Sequence, residues 1–87
     1  MKPGQDLIEQ GLADIAAGRE TVASLLVEVG GPRLRRLGFV IPEQIGESPE
    51  HRLYKLLAAE DSDAAHSRYN AQIRRLVSFE RAAECEN

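Results

Sequence analysis

Tryptophan is absent from this chain, cysteine and methionine occur once each, and the aromatic residues are two tyrosines and two phenylalanines. The lone Cys85 cannot close an internal disulfide, which excludes the multi-bridge frameworks that staple small secreted domains. Long apolar runs are missing as well. None exceeds four residues, and the most apolar window, 22–29, is broken by Ser24 and Glu28. A membrane-spanning helix needs about 20 such residues, so neither a span nor a membrane partner is expected. The opening Met1-Lys2-Pro3-Gly4-Gln5-Asp6 has no apolar stretch and no small-residue cleavage pattern of a secretory leader. A cytoplasmic location is the resulting expectation.

Motifs that carry chemistry are equally scarce. There is no G-x-x-x-x-G-K-S/T and no G-x-G-x-x-G, and the glycines fall at helix ends instead. The zinc patterns H-E-x-x-H and paired C-x-x-C are absent. His51, His66 and Cys85 are the residues to consider for a metal, and they read as two ordinary histidines and a tail thiol. Asp61-Ser62-Asp63 resembles the start of a calcium loop but lacks the glycine and closing glutamate of that pattern, so helix capping explains it better. Ser62, Asp63 and His66 include the types of a nucleophilic relay, yet three residues in one short stretch do not make one. The expectation is a non-enzyme with no catalytic residue, no metal and no cofactor.

What is present suffices for a core. Leu, Ile, Val and Phe make up 22 of the 87 residues, above the level at which chains stay disordered. Eleven basic residues stand against fourteen acidic ones, giving a net charge of −3 and a pI near 5.3. The length implies one domain, 1–87. Arginine outnumbers lysine nine to two.

The apolar spacing is helical throughout and predicts an all-α fold, a small irregular bundle of four to five helices at about 6–17, 20–29, 32–37, 49–60 and 64–84. In the first helix Ile8, Gly11, Leu12 and Ile15 share a face, and Gly11 there would let another backbone approach. Gly18 fits a left-handed stop. The second helix has an apolar arc wide enough for a central position, with Thr21 as its cap. Gly30-Gly31 ends it and Pro32 opens the short third helix. Phe39-Val40-Ile41 is expected to be pinned into the core. Ser48-Pro49 starts the fourth helix, with Leu53, Leu56 and Leu57 inward. The last helix is long.

That last helix carries the leading functional reading. Tyr69, Ile73, Leu76, Val77, Phe79 and Glu80 fall in one band at 100° per residue. His66 and Gln72 lie in the same band, and the spacing leaves open whether these two and Glu80 are core, surface or interface. Either the band is core, with Glu80 meeting water or an arginine of the short helix, or its distal half meets a second chain. The second reading predicts a protein-interaction or regulatory module, self-associating as a homodimer or binding another protein. A competing class is a small DNA-binding regulator or antitoxin, using 20–39 as a helix-turn-helix-like segment with Arg33, Arg35 and Arg36 as nucleic-acid contacts. The acidic net charge disfavours it.

Overall fold

The computed structural model describes residues 2–42 and 46–86. It has five helices: α1 (Gln5–Ala16), α2 (Val22–Val29), α3 (Gly31–Arg36), α4 (Pro49–Glu60) and α5 (Ala65–Glu86). The described residues are 73% helical and include no strand, as an all-α bundle with a long C-terminal helix requires.

The bundle is arranged around α2. Leu25, Leu26 and Val27 are fully buried, and the helix packs against α1, α4 and α5. Its start is fixed by a reciprocal cap: the Ser24 amide donates to Thr21 Oγ1 at 3.1 Å, and the Thr21 amide donates to Ser24 Oγ at 2.8 Å. Two orphan donors of the first turn are satisfied together. Against α1 the contact is backbone-close. A Cβ on Gly11 would stand 2.4 Å from both the Ala23 carbonyl oxygen and Val27 Cγ2, so glycine is what permits the crossing.

Gly30 is shared by α2 and α3, closing one and opening the other. Its φ of −81° is open to any residue. Its requirement is steric, because a Cβ would meet Leu76 Cδ1 at 2.8 Å and Glu80 Oε2 at 3.1 Å. Gly18 and Gly38, by contrast, take φ of +73° and +104° just past α1 and α3, the first being the left-handed stop expected there.

The segment 39–41 behaves differently from the expected uniform burial. Phe39 packs on Phe79 with ring centroids 5.9 Å apart, and Ile41 is buried, but Val40 is 91% exposed. Three successive residues of an irregular connection cannot all face one core, so the middle one turns outward. Ser48 Oγ then accepts from the His51 amide and Pro49 opens α4, whose Leu53 and Leu57 are buried. Asp61 Oδ1 accepts from the amides of Asp63 and Ala64 and so turns the chain into α5.

At 22 residues, α5 is about 33 Å long and runs most of the 38 Å long dimension. Its distal half does not protrude. Gly4, at the head of α1, lies on it so closely that a Cβ would stand 2.9 Å from the Arg75 carbonyl oxygen. Phe39 covers Phe79, while Leu76, Phe79, Glu80 and Ala83 are all buried. The described helices include none long and apolar enough to cross a membrane.

Candidate functional site

Two carboxylates are buried in this small fold and the side chain of a third is largely covered, and they differ in how they are satisfied. Asp14, on the inward face of α1, is 3% exposed. Its Oδ2 accepts from the Thr21 hydroxyl at 2.7 Å, and its Oδ1 accepts from Gln10 Nε2 at 2.9 Å and Arg19 Nη2 at 3.0 Å. The Thr21 hydroxyl first, then Gln10 and Arg19, hold its carboxyl below the usual range against the opposing effect of burial. Asp14 ties the end of α1 to the start of α2 and has a full set of donors.

Glu80, on α5, is 4% exposed. Arg33 Nη1 reaches its Oε1 at 3.3 Å, while Arg33 Nε binds Glu84. Burial pushes the Glu80 carboxyl up, and the Arg33 charge opposes that. Leu76, Phe79 and Glu80 are core, and Glu80 meets an arginine of the short helix, as the first of the two readings of the band has it. Tyr69 is half-buried, its ring 5.8 Å from that of Tyr54, and Ile73 and Val77 are half-buried as well. Of the band's other polar members, His66 is on the surface beside Asn70, and Gln72 is half-buried with Oε1 lacking a partner among the described residues.

Glu28 is the least satisfied. Its side chain is only 7% exposed. Among the described residues no N–H or O–H donates a hydrogen bond to it, and its cationic neighbour is Arg52 of α4, with Nη1 at 3.9 Å from Oε1. Arg52 is drawn elsewhere: its Nη2 holds Glu20 at 3.0 Å. Burial pushes the Glu28 carboxyl above the ordinary range, Glu20 adds to that, and Arg52 opposes it. Two concavities meet at this side chain. One, of about 230 Å³, lies between the α1–α2 turn and Arg52; the other, of about 330 Å³, is walled by Val29, Pro32, Pro42 and Pro49, with Arg35 and Glu50 at its edge.

The arginines of α3 serve different ends. Arg33 holds Glu80 and Glu84. Arg35 donates from Nε to the Ile41 carbonyl at 2.7 Å and from Nη2 to the Pro42 carbonyl at 3.1 Å. Arg36 is exposed. Two of the three suggested nucleic-acid contacts are thus engaged within the chain, and α3 follows α2 through one residue rather than a turn.

His51, His66 and Cys85 are not brought together. His66 and Cys85 sit on one helix nineteen residues apart, about 28 Å, and the described residues contain no group of three His, Cys, Asp or Glu that could hold a metal.

Sequence reasoning gave Asp14 no role and noted Glu28 only as a break in the apolar window 22–29. Asp14 had a signal: it lies three residues from inward Gly11 and just before Arg19 and Thr21. Glu28 had none beyond its place in the apolar run 22–29. No family model, no curated protein and no solved structure matches the chain.

Proposed function

We propose that this chain is a non-enzymatic interaction module that binds another protein where α2, α3 and the segment leading to α4 meet. The observation that supports this reading is the presentation of Val40. It is 91% exposed between two anchored neighbours, Phe39 on Phe79 and buried Ile41. Arg35 grips the carbonyls of Ile41 and Pro42, so the segment is held in place rather than left to order on binding. A preorganised apolar knob, two residues before groove-lining Pro42, is what a binding surface needs, since ordering a loop during association lowers affinity.

The test is capture of partners from the source cell with the wild-type chain, a Val40→Asp variant and an Arg74→Glu control, the last changing an exposed residue of α5. A partner retained by the control and lost with Val40→Asp supports the module. Partners unaffected by Val40→Asp would end it. Self-association through this surface, read by sedimentation, would make a second copy the partner.

A further inference from the structure

We propose that the groove walled by Val29, Pro32, Pro42 and Pro49 takes a lysine side chain of the partner polypeptide, with its ammonium on Glu28. The inference rests on the interaction-module reading and names the chemistry of the partner.

A carboxylate removed from water needs donors, and a buried one without them is costly. Asp14 and Glu80 have theirs inside the chain. Glu28, largely covered but opening on the groove, has one distant cation: Arg52 stands 3.9 Å from Oε1, with its other nitrogen committed to Glu20. Glu28 also lies on the last turn of α2, where the helix dipole presents negative partial charge and adds to the demand for a cation.

The groove fixes which cation. Its wall joins one valine and three prolines, a surface for methylenes, to Glu28, Arg35 and Glu50, and its volume of about 330 Å³ exceeds that of one long side chain. Lysine combines an aliphatic stem with a compact charged head. An arginine fork is matched to two carboxylate oxygens, and here one already faces Arg52, so a point donor on Oε2 fits better. Besides Arg52, the charged groups lining the two concavities at Glu28 are Arg19, Glu20, Glu50 and Arg35, and Arg19 is held by Asp14. Arg35 is turned toward the carbonyls of Ile41 and Pro42. Glu50, exposed at the rim, adds attraction for an incoming cation. The raised affinity of Glu28 for a proton is the competing state: lysine binding should strengthen as pH rises through the Glu28 titration.

The test is a nuclear magnetic resonance titration of the intact chain with Nα-acetyl-lysine N-methylamide, into the tens of millimolar. The amides of Val29 and Glu50 should shift and saturate. The norleucine analogue, which keeps the stem and lacks the ammonium, should bind about tenfold more weakly, as should lysine to Glu28→Gln, the loss expected of a charged partner. Glu50→Gln lies on an exposed rim, where the fold does not depend on it, and should weaken binding by a few-fold. Absence of saturation, equal binding of lysine and norleucine, or indifference to both substitutions would overturn the proposal. Tighter binding of the arginine analogue would overturn the choice of lysine. Tighter binding of free 1,4-diaminobutane would assign the groove to a small cation instead of a polypeptide. Loss of lysine binding with Val40-dependent capture intact would remove the lysine site and leave the module standing. Lysine binding with Val40-independent capture would remove the module.

Discussion

Arg33 and Glu80 are forty-seven residues apart in sequence, and the guanidinium of one reaches the buried carboxylate of the other at 3.3 Å. The contact joins the shortest helix to the longest and places a compensated charge under the α2–α3 junction, where Gly30 leaves room for the Glu80 carboxylate.

Removing one partner should therefore be felt. Arg33→Ala leaves Glu80 buried without its cation, and since Arg33 is itself about one-third exposed, water offsets part of the loss. A destabilisation of about 1–3 kcal/mol is expected in urea unfolding. Arg36→Ala, at an exposed position, should change stability by less than about 0.5 kcal/mol.

The three carboxylates set opposite pH trends. Burial raises Glu28 and Glu80, so the folded state binds their protons more tightly than the unfolded chain does. Their effect is that stability falls as pH rises from the ordinary glutamate range through the raised folded values. Asp14, lowered chiefly by the Thr21 hydroxyl, works the other way. Its contribution is full above the ordinary aspartate value and is lost as pH falls through the depressed one. Urea unfolding across pH should show these groups contributing most in the ordinary carboxylate range, with losses from Asp14 below it and from the two glutamates above it. Glu28→Gln with Glu80→Gln should flatten the neutral side of that curve, and Thr21→Val should weaken the acid side.

Leu76→Asp should unfold the chain rather than dissociate a pair. Leu76 is 4% exposed and lies against Gly30, so an aspartate there is an unpaired buried charge costing more than about 3 kcal/mol. Circular dichroism should show loss of most helical signal. A folded monomer retaining native helicity would contradict the burial of this face.

Gly11→Ala and Gly18→Ala separate two uses of glycine. In a helix interior alanine gains about 1 kcal/mol over glycine, but the new Cβ of Gly11→Ala meets backbone and side chain at 2.4 Å. Because backbone is among the atoms met, overpacking should reach or pass the upper end of about 1–3 kcal/mol and outweigh that gain. Gly18→Ala points into open space at φ +73° and should lose only about 1–2 kcal/mol for the left-handed backbone. Thermal unfolding of both variants should rank Gly11→Ala as at least equally damaging, although its own backbone is helical.

The legible part of this fold is local. Thr21, Ser48 and Pro49 mark helix starts and Gly18 and Gly38 mark stops, because caps and left-handed residues act within one turn of chain. Gly11 was legible because its place on an apolar face has one steric meaning. What covers a face is not local. The band on α5 follows from spacing, but its cover comes from Gly4 and Phe39, some seventy and forty residues away in sequence. The same distance hid the pairing of Arg33 with Glu80, although an arginine of the short helix was one of the two partners foreseen for that carboxylate. Glu28 was least legible, since its groove is made by Pro32, Pro42 and Pro49, three residues from three stretches of chain.

Gly30 ends α2 and begins α3 with nothing between them, which makes the junction a setting of angle rather than a hinge. One residue inserted after it would rotate α3 by about 100° about its axis. Leu34 would leave the core and Arg33 would swing away from Glu80. The connection that follows α3 is fixed differently, by side chains: Phe39 on Phe79, buried Ile41, and Arg35 on the Ile41 and Pro42 carbonyls. Length variation among descendants of this chain should therefore be absent between 29 and 34.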